Sequence, residues 1–553
     1  MPGTPFNLIR EDWLPVRRAD GGSDRIAPWG IVANLSNNPV VAIDWPRPDF
    51  NGATLEFLIG LLATAFAPKD KDEWLDRWES PPAPEELRDA FERIAFAFDL
   101  DGDGPRFMQE IGELEKPTQR SAGQLLIDYP GEATEKKNRD HFVKRGQVTA
   151  VSRPMAAIAL YTMQTYSPGC GAGYLASMRG GGPLTTLAAG DPHDGVASLW
   201  RLLWPNVPEG DGPDPSIGSA KVFPWLPATG SSRDFPVTTP EHGHPLQAFP
   251  LQAFWGMPRR VRLMFEPARG RVCDLGGPAD NVLACGWRTS PHGIKYEGWK
   301  HPLSPYVKRK IDELPNPVKG NPGGVTYRHW LGLVQEDPDN GRLPAQCVSV
   351  FRNERAEDAG ISGIRLVAFG YEMGKKEIAK ARCWYQAEMP IPNIPPARRE
   401  SFDGRAAQLV RAADKAASLA KQALRNATFR KNDDRYNKAS KFEFEFIVDA
   451  EERLWRDTEA KFFDLLSELA EDEVDDAMLR EGWLKELSRA ALAIFDQTAP
   501  SEGLEAGAWR QLVEARKWLA GGLKGKDIRA QLGLAPPPGL TKRAGRKTKG
   551  KTP

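Results

Sequence analysis

The sequence contains few cysteines, five in 553 residues, and they are widely spaced. An odd, scattered set of cysteines does not make a disulfide framework and fits a reducing compartment. No apolar run approaches the roughly 18 residues that a membrane-spanning helix needs. The first dozen residues include acidic side chains and lack the apolar stretch of a secretory signal. These absences lead us to expect a cytoplasmic protein.

The sequence also lacks an excess of charge of either sign, since 74 Lys and Arg residues balance 74 Asp and Glu residues. A protein that binds nucleic acid alone, by neutralising phosphates, normally has a basic excess. Any nucleic-acid role therefore has to rest on local basic patches, or on partners that supply further positive charge. Hydrophobic residues make up 41% of the chain and charged residues 27%, which is typical of a folded globular protein.

The composition changes near residue 390, and this change predicts an α+β fold in two parts. Alternating apolar runs and Pro/Gly-rich connections predict a mixed α/β N-terminal body over 1–389. The proline-rich segment 390–400 is predicted to be a linker, because prolines favour extended backbone. Helical periodicity over 401–535 predicts a C-terminal four-helix bundle, and the basic tail over 536–553 is predicted to be disordered. The predicted bundle helices are 402–430, 443–481, 483–496 and 508–520.

Apolar patterns predict several elements within the N-terminal body. Leu55–Phe66 is apolar nearly all round and predicts a buried helix, whereas Glu85–Phe98 predicts an amphipathic helix. The predicted strands are Val261–Phe265, Gln346–Phe351, Arg365–Phe369 and Ala381–Gln386. The last two strands flank residues 370–380 and predict an antiparallel hairpin with a long basic tip.

Two residue patterns offer metal ligands. Asp99, Asp101, Asp103, Gly104 and Glu110 match the spacing of a calcium-binding EF-hand loop, although an acidic turn explains the same residues. The Cys and His residues do not follow the usual spacing of a zinc site, so we expect no metal or other cofactor. That second set is Cys273, Cys285, His292 and His301.

A glycine-rich stretch over 168–183 is the main candidate for close contact with a ligand. Gly169, Gly171 and Gly173 let the backbone approach a polymer or an anion. The stretch is not a Walker motif, because no Gly-Lys-Ser/Thr follows it. Cys170, within it, is an alternative candidate as a nucleophile, and a purely structural loop is the remaining alternative.

A cationic segment over 136–145, with an embedded aromatic residue at Phe142, suits phosphate contact combined with base stacking. Such a run is also compatible with an ordinary solvated surface. Together with the other basic elements of a globally neutral chain, it favours a side that faces nucleic acid.

Six segments, in order, resemble the large subunit (CasA-type) of the type I-E CRISPR Cascade surveillance complex. The resemblance covers most of residues 6–390, and the helical C-terminal part is similar in architecture. The six segments are 6–18, 44–74, 104–110, 168–186, 251–263 and 366–376.

The resemblance implies a non-catalytic protein that recognises the protospacer-adjacent motif in double-stranded DNA, largely from the minor groove, and starts strand separation. It assigns the family's lysine-bearing segment to the stretch from Arg288 to Lys295. Ala172 and Lys375 stand where relatives carry glycine and glutamine. The glycine loop implied by the resemblance is Gly169, Cys170, Gly171, Ala172 and Gly173, and the wedge at the hairpin tip is Gly374, Lys375 and Lys376.

The resemblance further implies other Cascade subunits, CRISPR guide RNA, target DNA and a helicase-nuclease recruited after target binding as partners. It places contact with the neighbouring subunit and the guide RNA in a loop over 128–144. Basic residues of the first bundle helix are candidates for holding the displaced strand. A metal- or thiol-dependent enzyme and a purely architectural docking subunit are the alternatives. The loop residues are Tyr129, Lys136, Lys137, Asn138, Arg139, Phe142 and Lys144, and the bundle residues are Arg411, Lys415, Lys421 and Arg425.

Overall fold

The chain forms two compact units. Residues 1–324 and 332–393 make the first unit, and residues 325–331 and 394–553 make the second. The computed structural model describes residues 5–130, 136–138, 144–169, 171, 173–190, 197–210, 219–229, 237–238, 250–277, 279–308, 314–320, 323–373, 381–429, 444–471, 475–500 and 506–537.

The first unit combines short strands with helices, as an α+β fold requires. Its strands are β1 (Leu14–Arg18), β2 (Ser23–Ile26), β3 (Val40–Ile43), β4 (Thr118–Ser121), β5 (Val151–Ser152), β6 (Thr185–Gly190), β7 (Val237–Thr238), β8 (Arg260–Pro267), β9 (Val282–Ser290), β10 (Tyr296–Glu297), β11 (Tyr306–Val307), β12 (Asn316–Pro317), β13 (Arg342–Leu343), β14 (Gly363–Met373) and β15 (Ala381–Pro392).

Helices lie between these strands. The α-helices before residue 394 are α1 (Pro48–Ala65), α2 (Lys71–Glu79), α3 (Pro84–Glu92), α4 (Arg153–Tyr166), α5 (Leu199–Leu203), α6 (Gln252–Trp255), α7 (Trp330–Leu333) and α8 (Gln346–Val350). Short 3-10 helices cover Pro28–Val32, Ala95–Ala97, Ala122–Leu125, Trp204–Asn206, Ser219–Lys221, Tyr327–His329 and Pro338–Asn340.

Two sheets organise the region around the glycine-rich stretch. One has the strand order β15-β14-β6, and in the other β9 pairs with β8, β4 and β5. The strands β14 and β15 pair antiparallel from Gly363↔Pro392 to Met373↔Ala381. The predicted hairpin and the predicted strand at Val261–Phe265 are therefore confirmed.

Helix α1 runs through the core of the first unit. Pro48 occupies its first turn, where a missing amide hydrogen costs no helical hydrogen bond. Phe57, at 1% exposure, meets the rings of Trp13, Tyr161 and Trp255 in edge-to-face contacts. The predicted buried helix is confirmed, and it begins seven residues earlier than the apolar run indicated.

Two predictions of local structure in the first unit differ from the observed elements. Gln346–Phe351 is not a strand, because α8 and a π-helix over Phe351–Arg355 occupy it, with Cys347, Val348 and Phe351 buried at helical spacing. The predicted amphipathic helix 85–98 ends at Glu92. A turn follows it and leads into the 3-10 helix Ala95–Ala97.

The predicted linker at 390–400 is also wrong over most of its length. Residues 390–392 pair with 363–365, and a new helix begins at Pro396. Prolines are tolerated here because β15 is an edge strand of its sheet.

The second unit is helical, as the composition predicted. Four long helices pack together: α9 (Pro396–Thr428), α10 (Glu445–Ala470), α11 (Asp476–Thr498) and α12 (Ala506–Leu523), followed by the short α13 (Lys526–Gln531). The predicted helix at 443–481 is in fact divided, because the Asp475 side chain caps the start of α11 by accepting a hydrogen bond from the Met478 amide. The predicted tail lies outside the described residues from 538 onward.

A segment distant in sequence completes the core of the second unit. Tyr327 stacks on Phe462 of α10 at a centroid distance of 4.3 Å, and its hydroxyl lies 2.7 Å from Oγ1 of Thr458. Trp483 of α11 donates a hydrogen bond to the Leu409 carbonyl of α9. In the part of the chain that the structure describes, none of the helices combines the length and apolarity needed to cross a bilayer.

Candidate nucleic-acid interface

The glycine-rich stretch forms a folded-back loop between α4 and β6. The Ser177 amide donates to the Ser167 carbonyl at 3.0 Å, and the Gly180 amide donates to the Ser177 carbonyl at 2.8 Å. Gly169 and Gly171 lie exposed at the outer end of this loop. Cys170 and Ala172 lie outside the described residues. The loop therefore presents backbone at the surface, which is what contact with a groove or a phosphate requires.

Gly173 joins this loop to the predicted basic segment 288–295. Its carbonyl accepts a hydrogen bond from the His292 amide at 2.7 Å, and its φ angle is +80°. A Cβ atom at Gly173 would lie 2.6 Å from the Cβ atom of Pro291, so the contact requires glycine. Arg288, on β9, and Lys295 are both exposed, and Lys295 is ion-paired with Glu297.

Gly182 joins the same loop to the base of the hairpin. A Cβ atom at Gly182 would lie 2.5 Å from Cγ of Met373 and 2.8 Å from the Tyr371 carbonyl oxygen, and φ is +61°. Met373 is the last residue of β14. The wedge residues Gly374, Lys375 and Lys376 lie outside the described residues. The structure thus brings the end of the glycine-rich stretch next to β14, the strand that precedes the predicted wedge in sequence.

A further lysine, which we did not single out from the sequence, lies beside these segments. Gly320 pairs with Glu372 in a parallel bridge, and its amide donates to the Gly182 carbonyl at 3.1 Å. The neighbouring Lys319 is exposed, and its Nζ would be 3.4 Å from a Cβ atom at Gly180. The available sequence signal was a lysine within the Pro/Gly-rich stretch 315–324.

A buried ion pair fixes the inner end of the glycine-rich stretch. Nη2 of Arg179 lies 2.6 Å from Oε2 of Glu56, and Nη1 donates to Ser304 at 2.9 Å. Tyr166 and Thr185 also donate hydrogen bonds to Glu56. Burial opposes the charge of Arg179, but Glu56 outweighs it and holds the pKa of Arg179 above its ordinary value. The guanidinium therefore stays charged in the core.

The loop predicted to contact guide RNA is closed at its base by Tyr129. The Tyr129 hydroxyl accepts a hydrogen bond from the Gly146 amide at 3.0 Å, and its ring packs on Gly123. Between these ends, Lys136, Lys137, Asn138 and Lys144 are exposed. Arg139 and Phe142 lie outside the described residues.

The four bundle residues predicted to hold the displaced strand all lie on α9, in the other unit. Arg411, Lys415, Lys421 and Arg425 are each partly buried. Lys421 forms an ion pair with Glu451 of α10 at 2.9 Å, which offsets part of its charge.

The EF-hand-like pattern does not assemble a calcium site. Oε2 of Glu110 accepts a hydrogen bond from Nε of Arg260 at 2.9 Å, and Asp99 and Asp101 accept hydrogen bonds from Asn7 and the Phe6 amide. Burial raises the pKa of Glu110, but hydrogen bonds from Thr229, Arg260 and Gly112 outweigh it and leave this pKa below its usual value. Three of the four carboxylates of the pattern, those of Asp99, Asp101 and Glu110, are therefore bound to other parts of the fold.

The Cys and His residues of the second pattern have other surroundings. Cys273 is buried, Cys285 is partly buried against Leu283, and His301 accepts the Leu303 amide hydrogen through Nδ1. Among the residues that the structure describes, no three His, Cys, Asp or Glu side chains are grouped closely enough to hold a metal ion.

The matched family covers most of the chain. Residues 7–494 match the model of a family described as CRISPR-associated protein Cse1. The chain therefore belongs to the Cse1 family, and the resemblance to the CasA-type large subunit is confirmed.

Solved structures share the fold at low identity. The chain is similar to CasA of Thermus thermophilus, at 18% identity over 94% of this chain and 99% of that chain, with a TM-score of 0.65. It is similar to Cse1 of Thermobifida fusca, at 18% identity over 96% and 99% of the two chains, with a TM-score of 0.66. A chain of a structure described as a CRISPR RNA-guided surveillance complex matches at 15% identity over 94% and 100%, with a TM-score of 0.61.

Proposed function

We propose that this chain is the large subunit of a type I-E Cascade surveillance complex, acting in the cytoplasm with guide RNA and other subunits. In this role it reads the protospacer-adjacent motif in duplex DNA and starts strand separation, without breaking a covalent bond. Membership of the Cse1 family supports the assignment, as does the likeness to a chain of a CRISPR RNA-guided surveillance complex. The observation that carries the proposal is the convergence of the glycine-rich stretch, Lys319 and the hairpin base, through Gly180 and Gly182.

Motif reading rests on exposed backbone next to a few cations. The glycine loop offers backbone amides without side chains in the way, and Arg288 and Lys319 are exposed on segments that contact the glycine-rich stretch. Minor-groove readout is degenerate, so a few such groups suffice to separate permitted from forbidden motifs. Guide–target base pairing then supplies the sequence fidelity that the protein does not need to provide.

Strand separation rests on the hairpin. Its strands are paired over the full length of β14, and the predicted tip residues Gly374, Lys375 and Lys376 follow Met373 directly in sequence. Opening base steps costs a few kcal/mol of unstacking, which an inserted tip and phosphate contacts offset. The neutral net charge of the chain fits this role. Guide–target base pairing and the other subunits also contribute to target binding, so this chain alone does not need a basic excess.

The remaining parts of the proposal concern partners. The exposed residues of the 128–144 loop contact the neighbouring subunit and the guide RNA, and Arg411, Lys415, Lys421 and Arg425 hold the displaced strand. A helicase-nuclease joins after target binding. Copurification of guide RNA with the native complex is the direct measurement for the RNA part.

The central test measures target affinity in the assembled complex with Lys375→Ala, Lys376→Ala and Gly173→Ala. Gly173→Ala is informative because its new Cβ atom has no room beside Pro291. We expect each variant to weaken binding to a motif-bearing duplex, and the lysine variants to weaken it less when the first base pairs are already mismatched. Lys69→Ala, a change at an exposed lysine elsewhere, is the control. Unchanged affinity for every duplex in all three variants refutes the proposal.

A further inference from the structure

Helix α1 carries two buried carboxylates on one face. Asp49 and Glu56 are seven residues apart, which is two helical turns or about 10 Å along the axis. Their exposed fractions are 2% and 0%. Burying a carboxylate is costly unless hydrogen bonds or an ion pair compensate, so the partners of these two groups are informative.

Asp49 is bound to the base of the hairpin. The Tyr371 hydroxyl of β14 donates a hydrogen bond to Oδ2 of Asp49. One turn further along the same face, a Cβ atom at Gly52 would lie 2.5 Å from the Trp384 ring and 2.9 Å from the Phe369 ring. Gly52 thus lets both hairpin strands pack directly on the helix backbone.

Glu56 is bound to the glycine-rich stretch through Arg179, as described above, at 2.6 Å. Arg179 is 2% exposed, so this ion pair is shielded from solvent and from salt. Because both carboxylates lie on α1, this helix fixes the separation between the hairpin base and the glycine-rich stretch.

The same helix end also reaches the loop predicted to contact guide RNA. Arg47, the residue before α1, pairs with Asp49 at 2.9 Å and with Asp128 at 3.0 Å. Asp128 immediately precedes Tyr129, which closes that loop. A continuous chain of polar contacts thus runs from Tyr371 through Asp49 and Arg47 to Asp128.

We infer that α1 is the common support of the hairpin base, the glycine-rich stretch and the start of the 128–144 loop at Asp128. We further infer that Asp49, Gly52 and Glu56 are positioning residues for DNA opening and motif reading. This inference rests on the proposed function. Asp49 and Gly52 hold the hairpin against the helix, so they act on the opening of base pairs. Glu56 acts on the glycine loop, and therefore on the choice of motif.

The test uses the assembled complex with guide RNA and three DNA probes. The first is a fully paired, motif-bearing duplex; the second has its first three base pairs mismatched; the third has an altered motif. Asp49→Asn is expected to weaken binding to the paired duplex about tenfold, the usual cost of disturbing a buried polar contact. Gly52→Ala should weaken it by a similar factor, because its Cβ atom overlaps the Trp384 ring. Both variants should weaken binding to the mismatched duplex less than about threefold. Glu56→Gln is expected to lower the affinity ratio between correct and altered motifs.

A merely structural role makes a different prediction, because a general loss of folded protein weakens binding to all three probes equally. Asp280→Asn is the matched control, since the Asp280 side chain is 6% exposed and its carboxylate pairs with Arg153 at 2.8 Å instead of with the hairpin or the glycine-rich stretch. Tyr371→Phe keeps the ring packed on Trp384 and removes only the hydroxyl. Its effect should not add to that of Asp49→Asn in the double variant.

Equal weakening on paired and mismatched DNA by Asp49→Asn, Gly52→Ala and Tyr371→Phe overturns the inference. If the Lys375→Ala and Lys376→Ala variants still discriminate between those probes, the proposed function stands and the inference alone fails. If the lysine and glycine-loop variants also leave every affinity unchanged, the proposed function itself fails. Full additivity of Asp49→Asn and Tyr371→Phe likewise contradicts the shared contact.

Discussion

Tyr327 belongs to a short segment, residues 325–331, that lies within the second unit although its sequence neighbours lie in the first. The side chain is 0% exposed, stacks on Phe462 and contacts the rings of Trp455 and Trp483 edge-on. Its hydroxyl lies 2.7 Å from the hydroxyl of Thr458, which itself donates to the Leu454 carbonyl. Tyr327→Ala therefore removes an aromatic ring from the middle of the helical core.

The expected cost follows from these contacts. Truncating a buried aromatic side chain usually costs roughly 3–5 kcal/mol, so we expect about 4 kcal/mol for Tyr327→Ala. Tyr327→Phe keeps the ring and removes one hydrogen bond, and Thr458 keeps its bond to the Leu454 carbonyl. Its cost should be about 1 kcal/mol.

Native-state hydrogen exchange of the full chain measures this cost locally. Amides of α10 and α11 should exchange about a thousandfold faster in Tyr327→Ala and about fivefold faster in Tyr327→Phe. Trp509→Ala, at a tryptophan of α12 that is 47% exposed, is the control and should change little. An acceleration below tenfold in Tyr327→Ala would refute the assignment of this segment to the bundle core.

Two further predictions concern the first unit. Gly182→Ala should destabilise it by about 2 kcal/mol in chemical unfolding, because the new Cβ atom overlaps Met373 at positive φ, whereas Gly104→Ala, in open space, should be nearly neutral. The lowered pKa of Glu110 means that its stabilising effect is complete above the unfolded value of about 4.3 and is lost as the pH falls through the folded pKa. Glu110→Gln should flatten this acid dependence in unfolding titrations, and an unchanged pH profile contradicts the role of the Arg260 pair.

The sequence was most informative where local pattern and structure coincide. The β14–β15 hairpin was predictable because two apolar runs flank a polar, basic tip, and α1 because its apolar run is too long for an ordinary strand and contains no proline. The strand predicted at Gln346–Phe351 is wrong, because the apolar residues of a short buried helix can alternate as those of a strand do. Pro390 and Pro392 indicated a linker, but they belong to β15, because an edge strand needs no amide donor on its outer side.

The contacts within the candidate interface were largely beyond local reasoning. Glu56 and Arg179 are 123 positions apart, and nothing in either neighbourhood identifies the other as its partner. Gly182 and Gly320 read as ordinary turn residues, although their missing side chains are what allows close contact with the hairpin base. Family resemblance supplied the predicted loop and wedge, whereas the contacts of α1 with Tyr371 and Arg179 are visible only in the fold.

During synthesis, the 325–331 segment emerges long before the helices on which its side chains pack. At about 5–20 residues per second, Tyr327 leaves the ribosome roughly 7–27 s before Phe462, its stacking partner 135 positions later. Trp330, which also contacts Phe462, waits equally long. A nascent chain therefore carries two aromatic side chains without their final cover, and a protein truncated after residue 393 would carry them permanently. Aggregation through these two exposed side chains is therefore the failure expected of such a fragment.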